Sequence, residues 1–192
     1  MTAQPRILAG PLVADHFAGP LVADHFKAAF GNHPAGVAII TARGVAGPVG
    51  LTASSVASVS AEPPVLSFSL SSRTGSAAEI AAAETFVVHL LTADNLDLAR
   101  IFARSSSASS VSGSSGSGRF TGTMNWTWLE TGEPLLLDAS RALRCRVLSR
   151  TPAGDSVLIA ASVLDIQYGA AVGSPLVYHS RTFHALGAGS VL

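Results

Sequence analysis

The sequence predicts a mainly β protein, an antiparallel barrel or sandwich with a few short helices. Three observations carry this. Runs that alternate apolar and polar residues recur along the chain, among them Val65–Leu70 and Ser140–Ser149. Turn signals separate them: a glycine-rich Arg43–Pro48, the pair Pro63-Pro64, and Pro152-Ala153-Gly154-Asp155. Helical periodicity is confined to short segments.

The bulk properties agree with one domain. At 192 residues the chain can fill a single core and is short for two. It is 48% hydrophobic and 12% charged, so little charge is available to cover its surface. That balance points to apolar surface buried in an oligomer, and a homodimer is expected. The formal net charge is zero and no basic run occurs, which argues against nucleic acid as partner. A single cysteine, Cys145, rules out an intrachain disulfide and a cysteine-based zinc site. No signal peptide and no apolar run of spanning length are read, so no membrane association and a cytoplasmic location are expected.

The nine residues Ala9–Phe17 are repeated at once as Ala18–Phe26. A nine-residue shift turns about 900° on a helix, so the copies face opposite ways and cannot pack equivalently along one element. Residues 1–18 are therefore read as an N-terminal extension carrying the duplicated segment, and 19–192 as the domain. The second copy begins a helix with Pro20 in its first turn. Leu21, Val22, His25, Phe26, Ala29 and Phe30 form one face of it, and Gly31-Asn32 ends it.

Val37–Thr41 is the first strand, turned back by Arg43–Pro48 into a hairpin whose second arm breaks at Thr52-Ala53-Ser54-Ser55. After Pro63-Pro64, alternation puts Leu66, Phe68 and Leu70 on one face and Ser67 and Ser69 on the other. Ser76 and Glu79 have capping-box spacing at the start of a helix over Ala77–Ala83. Phe86–Leu91 reads as a buried strand, and Asp94–Ala103 as an amphipathic helix with Leu98, Ile101 and Phe102 inward. Arg104–Gly118 is a Ser/Gly stretch that cannot bury a core and is read as a flexible insertion. Phe120, Trp126 and Trp128 fall in a loop, as pocket lining, packing or dimer contact. Ser140–Ser149 and Val157–Tyr168 make a long hairpin with Leu143, Cys145 and Val147 on one face. Leu176–His179 and Thr182–Leu186 close the sheet around Ser180-Arg181.

A strand face bearing only small hydroxyls, beside a strand break with unpaired backbone N–H groups, has room and hydrogen-bonding capacity for a ligand. The serines and the arginine of Ser71–Ser76, at a helix start, can hold a phosphate or simply cap a surface helix. The chain has no G-x-G-x-x-G, P-loop or G-x-S-x-G motif. Its six histidines show no metal-ligand spacing, and His179 and His184 fall on opposite faces of any single strand, so no metal site is expected. A polar pocket without nucleophile or metal suits a borrowed redox cofactor.

The stretch Gly50–Leu70, GLTASSVASVSAEPPVLSFSL, resembles the signature of the flavin reductase-like family of FMN-binding split barrels. Matches continue in order at Phe86–Leu91, Leu98–Ala103, Arg119-Phe120, Gly132–Leu135, Gly154-Asp155 and Pro175–His179, so the likeness spans about Phe30 to Leu186. It implies an antiparallel split β-barrel of Greek-key, FMN-binding type. It also implies an NAD(P)H-dependent flavin reductase, passing hydride from NADH or NADPH to FMN or FAD, with a flavin-dependent monooxygenase as partner for the reduced product.

By motif position, Thr52, Ala53, Ser54 and Ser55 are expected at the flavin ring and ribityl chain. Ser69, Ser72, Arg73 and Thr74 are expected at the phosphate, and His179 and Arg181 on the nicotinamide side. Two departures bear on turnover. The family often has Gly-Asp-His where this chain has Gly154-Asp155-Ser156, and Ile159-Ala160-Ala161-Ser162 lacks an expected glycine. A flavin-binding carrier or sensor with little NAD(P)H turnover, and a split-barrel dimer without cofactor, remain alternatives.

Overall fold

The computed structural model describes residues 20–71, 74–104, 119–169 and 173–191. The first repeat copy, most of the Ser/Gly stretch, and Ser72 and Arg73 lie outside the described residues. The elements run α1 (Pro20–Gly31), β1 (Ala35–Gly36), β2 (Ala38–Gly44), β3 (Gly47–Ala53), β4 (Ala57–Ala61), β5 (Pro64–Leu70), α2 (Gly75–Ala82), β6 (Thr85–Leu90) and α3 (Leu96–Ala103). They continue with β7 (Trp126–Trp128), β8 (Pro134–Leu136), β9 (Arg141–Ala153), β10 (Ser156–Tyr168), β11 (Leu176–His179) and β12 (Thr182–Ala185).

Seven strands form one antiparallel sheet in the order β3-β2-β6-β9-β10-β5-β4. Its edge strands are consecutive in sequence, joined only by Ser54–Val56. Laid flat, seven strands span about 29 Å at ~4.8 Å spacing. Four residue steps from Ala53 to Ala57 reach at most about 14 Å. The linker therefore obliges the sheet to curl until its edges approach, giving a barrel split between β3 and β4; among the described residues no β3–β4 ladder closes it.

The interior holds Ile40, Val49, Leu66, Phe68, Leu70, Phe86, Val88, Cys145 and Ile159, together with Ile80 from α2. Leu66, Phe68 and Leu70 are buried as their alternation predicts, and Phe68 meets Phe86 edge-on at 5.1 Å. Burial pushes the Cys145 thiol up to about 12, which keeps it an inert hydrophobe. Strand β2 is buried on both faces, so Ile39 enters a second cluster outside the barrel with Leu91, Ala99, Phe102, Leu136 and Leu176. That cluster fixes α3 against the sheet.

Four expectations are corrected. The Ser76–Glu79 capping box does not form: Ser76 is buried beside Arg119, while Glu79 Oε2 accepts the Val45 N–H at 2.9 Å, across the tip of the β2–β3 hairpin. Trp126 and Trp128 lie not in a loop but in β7, paired with β8. The β11–β12 hairpin does not join the main sheet. It forms a separate three-stranded sheet with β1, because Gly36 pairs with Val177 just before the chain enters β2. Finally, the apolar face of α1 is not packed into the core; Val22, Phe26 and Phe30 are exposed.

Two buried polar groups brace the outside of the barrel. Burial pushes the pKa of His89 down to about 4, so the ring is neutral. Its Nδ1–H donates to the Ile39 carbonyl at 3.2 Å, and Nε2 accepts the Leu136 N–H at 3.0 Å. Glu133 is also buried. Burial alone would raise its carboxyl, but hydrogen bonds from Arg144, Thr131 and Thr85 outweigh that and hold it at about 2.

Candidate functional site

The site is built at the split. Gly50 in β3 lets the strand lie directly under α3: a Cβ there would come within 2.5 Å of the Phe102 ring. Two residues on, Thr52 Oγ1 donates to the Ala99 carbonyl at 2.7 Å. Beyond Ala53 the chain leaves the sheet, and the Ser55 hydroxyl stands in for a strand. It accepts the Ser69 N–H and donates to the Ser69 carbonyl, both at 3.1 Å, extending the β4–β5 ladder where backbone pairing has stopped. The hydroxyls of Thr52 and Ser55 are thus partly spent on shaping the break, while Ser54 and the Ser69 side chain face open space.

Between this break, the end of β5, the start of α2 and the end of α3 lies a cleft of about 520 Å³, within the roughly 300–1,000 Å³ of small-molecule sites. Thr52, Ala53, Ser54, Ser55, Ser69 and Thr74 line it. Thr74 stands at the N-cap position of α2.

Opposite them is Arg119, which the motif reading noted but did not place in the site. Its guanidinium donates to the Gly50 and Arg104 carbonyls and, at 3.1 Å, to Ser76 Oγ. Burial draws its pKa below the usual guanidinium value, yet arginine remains a cation in proteins. A held, half-buried positive charge facing a row of hydroxyls suits an anion. The signal was present in the sequence as an arginine directly after a Ser/Gly run, but nothing local says that the run returns the chain to Gly50.

A second cavity of about 970 Å³ adjoins the first and shares Ser54, Ser55 and Ser69 with it. His179 and Arg181 line its far wall. Arg181 also borders a smaller space of about 280 Å³ with Thr52, Tyr178 and Phe183. Both turn residues of the β11–β12 hairpin, Ser180 and Arg181, have positive φ (50° and 61°), a left-handed conformation uncommon for residues other than glycine. The turn is held by the Ser180 N–H donating to the Gly31 carbonyl at 2.8 Å and by His179 Nε2 with Asn32 Oδ1 at 3.0 Å. The same turn brings the His179 and His184 rings to 5.7 Å, where single-strand reasoning had separated them. Among the described residues no group of three or more metal-ligating side chains occurs.

The residues fit a phosphorylated flavin. The hydroxyl-lined cleft carries a fixed cation at one side and the apolar Leu51, Leu70 and Phe102 at its walls, matching an anionic tail and a flat ring. Ser156 does not line either cavity. It starts β10 one step beyond the Val157–Leu70 pair, at the rim beside Ser71, and its hydroxyl donates to Asp155 Oδ1 at 3.1 Å.

Comparison with known proteins agrees with this geometry. Residues 30–187 match the family described as the flavin reductase like domain. A Rhodococcus qingshengii protein named NADH:FMN oxidoreductase is 35% identical over 161 residues, covering 82% of this chain and 79% of its own. The actinorhodin polyketide dimerase of Streptomyces coelicolor is 37% identical over 154 residues, covering 80% of each. Among solved structures, a flavin reductase domain protein from Arthrobacter sp. FB24 superposes with a TM-score of 0.74 at 34% identity, over 86% of this chain and 96% of that one. An NADH:FAD oxidoreductase from Streptomyces globisporus, solved with NAD and FAD fragments, gives 0.74 at 26% identity, over 89% and 96%. The chain belongs to the flavin reductase-like family.

Proposed function

We propose that this protein is an NAD(P)H:flavin oxidoreductase. The observation that carries the reading is the pair of adjoining cavities at the barrel split, one lined by hydroxyls around a half-buried arginine, the other by His179 and Arg181. Two ligands can lie side by side there and meet at Ser54, Ser55 and Ser69. Relatives named as NADH:FMN oxidoreductases support the same activity.

In this reading Thr52, Ala53, Ser54 and Ser55 hold the ring and ribityl chain of FMN or FAD. Arg119, Ser69 and Thr74 hold the phosphate, joined by Ser72 and Arg73. Bound flavin supplies the redox chemistry, accepting hydride from the nicotinamide. The chain's own task is to orient both rings: Leu51 and Phe102 form one wall, and the clipped Ser180-Arg181 turn sets the position of His179 and Arg181. No acid or base with a pKa tuned to neutrality is needed, since hydride transfer does not require proton abstraction by the protein.

Exposed apolar side chains on the β9–β10 hairpin, Leu148, Leu164 and Ile166, support a homodimer. A flavin-dependent monooxygenase is the partner that consumes the reduced flavin. The cytoplasm, which supplies NAD(P)H, is the site of action; no helix among the described residues is long and apolar enough to cross a membrane.

A second reading, a flavin carrier with little turnover, is favoured by one observation: Ser156 occupies the rim position where the family often has histidine. Steady-state oxidation of NADH and NADPH with added FMN or FAD tests the proposal. Flavin-dependent oxidation is expected. Tight flavin binding without turnover would select the carrier, and no flavin binding would sink both.

A further inference from the structure

The guanidinium of Arg119 is fixed by its bonds to the Gly50 and Arg104 carbonyls and to Ser76 Oγ. Those acceptors hold the tip of the side chain, not the backbone that delivers it. The residues between Arg104 and Arg119 are serine, glycine, alanine and one valine, so none of them brings a ring or a long apolar side chain. The first large apolar side chain after that stretch is Phe120, next to Arg119 in sequence.

The half-buried Phe120 ring meets Phe102 edge-on at 5.1 Å and 85°, and Trp126 edge-on at 5.0 Å and 70°. Both neighbours are anchored independently. Phe102 is 1% exposed, in the cluster that seats α3. Trp126 pairs with Leu136 across β7 and β8, and Leu136 is buried, with its N–H bonded to His89 Nε2. Phe102 and Arg119 line the cleft, whereas Phe120 does not. Its ring is a wedge behind the wall of the site and not part of the surface a ligand touches.

Edge-to-face contact with two rings confines a phenyl group to a narrow range of orientations. One step along the backbone passes that restriction to Arg119. We propose that Phe120 is a positioning residue for the flavin phosphate: wedged between Phe102 and Trp126, it holds Arg119 at the cleft and so sets the preference for FMN over riboflavin. This role rests on the flavin reading of the cleft. A guanidinium presents its donors in a fixed fork, so a small displacement costs alignment with phosphate oxygens. The apolar contacts available to the flavin ring at Leu51, Leu70 and Phe102 stay in place.

The test is a double-mutant cycle of Phe120→Ala and Arg119→Ala in the full chain, read by fluorescence titration of FMN and of riboflavin. Phe120→Ala should weaken FMN about tenfold, with little effect on riboflavin. In the Arg119→Ala background the same substitution should have no further effect on FMN. Equal loss for the two flavins overturns the proposal, since the wedge would then act through Phe102 or through the fold at large. So do two effects on FMN that simply add. If Phe120→Ala does not fold, Trp126→Leu removes the other side of the wedge, and the same dependence on Arg119 is required of it. Equal affinity of the unaltered protein for FMN and riboflavin sinks this inference alone, while binding of neither flavin sinks the reading of the cleft along with it.

Discussion

His89 Nε2 accepts the backbone N–H of Leu136 at 3.0 Å, so the ring that ties β6 to β8 must stay unprotonated. Its folded pKa of about 4 lies below the unfolded value near 6.5. The unfolded chain therefore binds more protons between those values, and stability present above pH 6.5 is lost as pH falls toward 4. The loss should reach about 3 kcal/mol. Glu133, held at about 2, adds a lower window, contributing above the usual carboxylate range and failing as pH drops below it. Denaturant melts from pH 7.5 to 4 should show the first window, and His89→Gln should flatten it. An unchanged slope in that variant would move the effect elsewhere.

Gly50→Ala should destabilise the fold by about 1–3 kcal/mol, since the new methyl meets the buried Phe102 ring at 2.5 Å. Because Phe102 also walls the cleft, flavin affinity should fall with it. Thermal melts and a flavin titration on the same preparation check both. Wild-type stability would mean that α3 can shift away at little cost.

Arg119→Ala should weaken FMN about ten- to a hundredfold, the range for a lost charged hydrogen bond. Riboflavin, which has no phosphate, should be affected far less. Fluorescence titrations with both ligands decide it. An equal loss for the two would show that Arg119 acts by holding Gly50 and Arg104 in place, not by contact with phosphate.

Ser156→His should raise NAD(P)H turnover about tenfold or more without changing flavin affinity. A histidine at the rim beside Ser71 reaches farther than serine, whose hydroxyl is already given to Asp155. Brisk turnover by the unaltered protein would refute this and leave His179 and Arg181 as the groups that seat the nicotinamide.

Much of the barrel was legible in local pattern. The alternation of Leu66, Phe68 and Leu70, the Gly154-Asp155 turn and the apolar run of β6 each report a strand through its own side chains, because period-2 burial depends only on neighbours in sequence. The hydroxyl-rich break at Thr52–Ser55 was visible in the same way. Its use was not: Thr52 caps Ala99 and Ser55 completes the β4–β5 ladder, bonds to partners 47 and 14 residues away. The capping box at Ser76 and Glu79 failed for the same reason, since Arg119 and Val45 compete for those side chains across long separations. The return of Arg119 to Gly50, the pairing of β11 with β1, and the solvent-facing aromatics of α1 depend on how the sheet curls. That curl follows from the short β3–β4 linker acting on seven strands at once, a constraint carried by the closed chain and by no residue within it.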